Sequence, residues 1–148
     1  MTLPGPLITF LVSYLTWLLF LTFVYLWVKR KRRLFWRSVL AVSVAWGIAT
    51  VIQLTLYSPR PYVVLKTRPL VATGFPMYNS FPSGHAAATA ALAFTVLPEF
   101  PALGIVLLGG SFLVDLGRVL GLVHYWRDIF GGTALAFVTS WVIRNLLA

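Results

Sequence analysis

Hydrophobic positions in this chain fall into long unbroken blocks rather than the short alternations of strands or surface helices. Leu7 to Val28 is a run of 22 residues without a charge, and Ser38 to Tyr57 is a second run in which Gln53 stands near the far end. A third block, Ser83 to Leu97, is rich in alanine. A fourth covers Ala102 to Leu116 and a fifth Ile129 to Leu147. Crossing the hydrocarbon core takes about 20 apolar residues in a helix. The pattern therefore predicts an all-α, polytopic membrane helical bundle of about five transmembrane helices, spanning residues 7–28, 38–57, 83–97, 102–116 and 129–147. Residues 1–148 are read as one membrane-embedded domain without an internal repeat. Between the second and third blocks, Pro59, Pro61, Pro69 and Pro76 exclude a continuous helix over Ser58 to Phe81. The small residues of the third block permit close backbone approach, which places it centrally in the bundle.

Composition strengthens this picture. Of 148 residues, 59% are hydrophobic and 10% charged, against roughly 45–50% and about 25% in soluble domains. Twelve Lys and Arg face three acids, Glu99, Asp115 and Asp128, for a formal charge of +9. Half of that positive charge sits in Lys29, Arg30, Lys31, Arg32, Arg33 and Arg37, directly after the first block. Such a cluster reads as a cytoplasmic anchor rather than a nucleic-acid patch, so no nucleic-acid partner is expected. It follows the first block instead of preceding it, the reverse of a cleavable signal peptide. The N-terminus is then outside and the C-terminus inside. With no cysteine and few acids, neither a metal site nor a cofactor is expected.

This threading gathers the potentially reactive residues at the outer face. Arg60-Pro61 follows Gln53 with six residues between; Pro82-Ser83-Gly84-His85 lies at a helix start; and Gly117-Arg118 is followed by His124 and then Asp128. A helix N-terminus with a glycine suits a phosphate, and arginine matches phosphate oxygens with paired hydrogen bonds. A neutral imidazole oriented by a carboxylate four residues on can attack phosphorus, while a second, protonated imidazole donates to the departing oxygen. Each residue also has a bland role. Arg118 can snorkel or pair with Asp115, Asp128 and Ser83 can cap helices, Arg60 can face headgroups, and His124 can belong to an aromatic belt with Tyr125 and Trp126. Six coincidences of spacing and sidedness favour the joint reading.

At these positions the sequence resembles the type-2 phosphatidic acid phosphatase superfamily of integral-membrane lipid phosphate phosphatases. The family pattern is Lys, six residues, Arg-Pro; then Pro-Ser-Gly-His; then Ser-Arg, five residues, His, three residues, Asp. Arg60-Pro61, Pro82-Ser83-Gly84-His85, Arg118, His124 and Asp128 match in order and spacing, while Gln53 replaces the lysine and Gly117 the serine. The resemblance implies a metal-independent phosphatase with His124 as nucleophile forming a phosphohistidine, Asp128 as its orienting partner and His85 as general acid. Gln53, Arg60, Ser83, Gly84 and Arg118 would bind the substrate phosphate. It further implies a lipid phosphate or diphosphate substrate, namely undecaprenyl diphosphate, phosphatidylglycerophosphate, phosphatidic acid or lipid A phosphate. That substrate would be met at the extracytoplasmic side of a bacterial inner membrane, with membrane lipids as further partners. The alternative is a catalytically degenerate member that binds anionic lipid without turnover, which the replacements at Gln53 and Gly117 motivate.

Overall fold

A computed structural model of the chain describes residues 5–71 and 79–147; Pro76 of the proline-rich loop lies outside them. Five apolar helices make up the bundle: α1 (Pro6–Val28), α2 (Arg32–Thr55), α3 (Gly84–Val96), α4 (Pro101–Leu120) and α5 (Trp126–Leu146). Four of them are long and apolar enough to cross a membrane. The exception is α3, whose 13 residues reach roughly 20 Å, short of the about 30 Å hydrocarbon core. A single helical turn, Pro61–Val64, interrupts the loop between α2 and α3.

The shortest helix is the centre. It packs against α5, α2 and α4, and it is buried on nearly every side, as expected of a helix that is apolar all round. Its alanines make this possible. Ala41, Ala45 and Ala49 of α2 recur every four residues, so they share one face, and that face meets Ala87, Ala90 and Ala91 of α3 and Ala136 of α5. A second cluster joins Leu19 and Leu26 of α1, Leu34 of α2, Leu92 and Val96 of α3, and Leu107 and Val114 of α4. The outer surface is apolar as well: Trp17, Val28, Phe130 and Trp141 are all more than half exposed. Such a surface has lipid, not water, as its natural solvent.

Helix ends depart from the hydropathy reading where polar side chains find partners. α2 begins at Arg32, six residues before Ser38, because its first turns are held by the far end of the chain. Arg33 and Arg37 donate to the carbonyl oxygen of Leu147, and Arg37 pairs with Glu99 at 3.3 Å. The basic cluster, the α3–α4 turn and the end of α5 thus share one end of the bundle, in agreement with the expected threading. α4 continues past Leu116 to Leu120, carrying Gly117 and Arg118 in its last turn rather than in a loop. α5 starts at Trp126, three residues before Ile129, because Asp128 caps it. The Asp128 carboxylate accepts the Tyr125 N–H at 2.8 Å, satisfying a donor that the helix start would otherwise leave orphaned.

Candidate active site

The motif residues converge at the end of the bundle opposite Arg37. Gln53 stands sixteen residues after Arg37 on α2, roughly 24 Å along the axis. Two strand-like segments, 58–60 and 79–80, close this end. Pro59 and Asn79 form an antiparallel bridge, Ser80 N–H donates to the Ser58 carbonyl at 2.7 Å, and the two serine hydroxyls lie 3.1 Å apart. This clip ties the Arg60 segment to the one leading into α3.

Ser83 is the N-cap of α3. Its hydroxyl accepts the Ala86 N–H at 3.3 Å, and its own N–H donates to the Asp128 carbonyl at 2.9 Å. The start of α3 and the start of α5 are therefore bolted together. Their contact leaves no room for a side chain: a Cβ on Gly132 would lie 2.5 Å from the Ser83 carbonyl oxygen. Gly84 opens the helix, and His85, half-buried in its first turn, faces a cavity of about 560 Å³ that Gly84 and Arg118 also line.

His124 lies between a carboxylate and a guanidinium. Its Nδ1 is 3.5 Å from Asp128 Oδ2, an ion-pair distance, and its Nε2 is 3.4 Å from Arg60 Nη1. Arg60 Nη1 also donates to the Val123 carbonyl at 3.0 Å. A guanidinium only donates, so this arrangement assigns the proton to Nδ1, facing Asp128, and points the Nε2 lone pair at Arg60. The backbone of Arg118 completes the link, because its carbonyl accepts the N–H groups of Val123 and His124.

The imidazole is almost fully enclosed, and burial pushes its pKa down to about 4. The contact with Asp128 opposes that shift, while the fields of Arg118 and Arg60 add to it. Burial likewise lowers the pKa of Arg60 from its usual value. At neutral pH His124 is thus an uncharged base whose Nε2 accepts from Arg60. The shift also links to stability. Because the folded value lies below the unfolded one near 6.5, the unfolded chain takes up the proton first as pH falls. The contribution is complete above pH 6.5 and is lost as pH drops through about 4, an effect of about 3 kcal/mol at most. The unfolding temperature in detergent should fall more steeply between pH 7 and pH 4 in the wild type than in His124→Gln. Parallel slopes in the two proteins would contradict the buried neutral imidazole.

Arg118 is buried in the last turn of α4, and its Nε has no hydrogen-bond partner among the described residues. Asp115, one turn earlier, is also buried, yet no ion pair within 4.0 Å joins them among the described residues, and Asp115 Oδ1 has no hydrogen-bond partner there. Arg118 is thus a buried cation at the wall of the cavity without a hydrogen-bonded acid among the described residues, chemistry that suits an anion.

Gln53 takes a different place from that of a phosphate donor. Its amide nitrogen donates to the carbonyls of Pro82 at 2.5 Å and of Ser80 at 3.5 Å, using both of its hydrogens on the segment that precedes Ser83. Gly117, where the family pattern has serine, faces α1: a Cβ there would lie 2.9 Å from Leu11 Cβ and 3.0 Å from Val12 Cγ2. The absent side chain is what lets the π-helical turn Phe10–Tyr14 of α1 dock on α4. Lys66 and Arg68 are exposed in the loop. Sequence reasoning missed Arg127, which donates to the Ser58 hydroxyl at 3.2 Å and stands 3.6 Å from Asp128 Oδ1. Its adjacency to Asp128 is the one signal that could have suggested it.

Fold and site together define an integral-membrane helical protein with a histidine and an arginine-lined cradle at one end. A sequence model of the PAP2 superfamily matches residues 39–148, and the chain belongs to that superfamily. Among solved structures, the fold is similar to the first transmembrane PAP2-type phosphatidylglycerolphosphate phosphatase from Bacillus subtilis. The TM-score is 0.67 at 20% identity, over 95% of this chain and 73% of the other. No curated protein matches significantly.

Proposed function

We propose that this protein hydrolyses the terminal phosphate of a membrane lipid phosphate or diphosphate through a phosphohistidine on His124, without a metal ion. The observation that carries this reading is the placement of His124, with Nδ1 toward Asp128 and Nε2 toward Arg60, and its backbone tie to Arg118, which walls a cavity with Gly84 and His85. Superfamily membership supports phosphatase chemistry. As Arg60 passes its hydrogen bond from Nε2 to the incoming phosphate, the Nε2 lone pair attacks phosphorus and a P–N bond forms as the P–O bond to the lipid breaks. His85 delivers a proton to the departing oxygen, which leaves as an alcohol or, from a diphosphate, as the lipid monophosphate. Water then attacks the phosphohistidine, His85 accepts its proton, and inorganic phosphate leaves with the P–N bond broken. Charge on the equatorial oxygens is met by Arg60, Arg118 and the N–H groups that open α3.

The lipid tail lies along the apolar part of the same cavity, between α1 and α2. The position of the basic cluster at the opposite end supports, through the positive-inside rule, a site at the extracytoplasmic face of the plasma membrane. Undecaprenyl diphosphate, phosphatidylglycerophosphate, phosphatidic acid and lipid A phosphate are the substrate candidates. The test is phosphate release by purified protein from these four lipids in the presence of chelator. Release from at least one is expected. Binding of anionic lipid with no release from any would establish a non-catalytic member instead.

A further inference from the structure

Trp46 takes no part in the chemistry above, yet it occupies the junction between the charged and apolar parts of the cavity. It stands on α2 seven residues, two helical turns, before Gln53, and lines the cavity together with Gly84, His85 and Arg118. The pyrrole edge of its indole faces the start of α3. A Cβ on Gly84 would lie 3.2 Å from Trp46 Cδ1 and 3.4 Å from Nε1. The six-membered ring therefore lies farther from Gly84 than the pyrrole edge does. From there the cavity continues along Val12, Thr16 and Phe20 of α1 and Val42 of α2. Trp46 is about half exposed, which leaves part of its ring available to a ligand.

The physics limits what such a wall can do. A hydrocarbon tail passing from the bilayer into an apolar groove exchanges one apolar medium for another, so burial itself adds little affinity. What a rigid aromatic wall beside the cradle adds is orientation, holding the carbons next to the phosphate so that the P–O bond lines up with His124. A small water-soluble phosphate ester has no tail for that wall to hold.

We propose that Trp46 is the specificity-determining residue of this site, its indole packing on the carbons next to the phosphate of a lipid alcohol and so selecting lipid over water-soluble phosphate esters. This inference rests on the phosphatase reading above. The measurement is the ratio of kcat/KM for long-chain phosphatidic acid in detergent micelles to kcat/KM for p-nitrophenyl phosphate, in wild type, Trp46→Phe and Trp46→Ala. All three proteins are first checked for monodisperse elution in the same detergent. The ratio is expected to fall at least tenfold in Trp46→Ala and to stay within threefold of wild type in Trp46→Phe, which keeps an aromatic wall. A ratio in Trp46→Ala within threefold of wild type overturns the proposal. That holds whether both activities fall together, as for a mere prop under Gly84, or neither falls. So does a Trp46→Phe ratio as low as that of Trp46→Ala, which would trace the effect to the indole N–H. Wild-type protein that releases phosphate from neither substrate, nor from the other three lipids, overturns the phosphatase reading itself and this inference with it.

Discussion

Replacement of His124 by alanine is expected to lower lipid phosphate hydrolysis at least roughly 10³-fold, about 4 kcal/mol of barrier, and to abolish a trapped phosphoenzyme. The size follows from the position of the ring. Asp128 and Arg60 hold it from both sides, and no second imidazole is placed between a carboxylate and a guanidinium in this way. The phosphoenzyme formed by the wild type should be labile to acid and stable to alkali, as a P–N bond requires. Asp128→Asn should keep the protein folded while slowing phosphoenzyme formation, since an amide can present its NH2 to Nδ1 and reverse the tautomer. Hydrolysis by His124→Ala within tenfold of wild type would remove the ring from the role of nucleophile and leave the arginine cradle as a binding site alone.

The second large effect is expected at Arg118, where activity and stability should separate. Its guanidinium is buried, and its Nε has no hydrogen-bond partner among the described residues, so it contributes desolvation cost without a matching bond. Arg118→Met fills the same space with an apolar side chain. Loss of a donor aimed at the transferring phosphoryl group should lower kcat/KM by about 10²–10³-fold, while the unfolding midpoint in detergent stays level or rises. A variant that loses activity and unfolds at a clearly lower temperature would mean that Arg118 is a structural cation supporting Asp115 and the end of α4. The proposed phosphate role would then pass to Arg60 and the α3 N-terminus.

Much of this molecule was legible in its residue order, and the reasons differ from element to element. The long apolar blocks announce α1, α2, α4 and α5 because a bilayer admits only segments that satisfy their own backbone. Alanine at Ala86, Ala87, Ala88, Ala90, Ala91 and Ala93 marks α3 as central, since only small side chains let three neighbours approach one helix. The motif spacings pick out the candidate site residues, and the capping roles of Ser83 and Asp128, legible as bland alternatives, are present in the fold. Helix ends were less legible. The starts of α2 and α5 and the end of α4 depend on Leu147 receiving Arg33 and Arg37, on Tyr125 meeting Asp128, and on Arg118 facing inward. None of these is a local property of the residues concerned.

Gln53 and Gly117 show most clearly where residue order stops. As departures from a family pattern they read as losses, one of charge and one of a hydroxyl. In the folded chain Gln53 holds the carbonyls of Ser80 and Pro82, and Gly117 admits the π-helical turn of α1. By itself the residue order determined a lipid-solvated helical bundle, its central helix and the list of residues able to handle phosphate, because hydropathy and side-chain chemistry are properties of single positions and short spacings. Only the tertiary structure decided which donors are spent on backbone, which face a cavity, and which side chains wall it. Those depend on contacts between residues tens of positions apart, whose geometry is set when the helices pack.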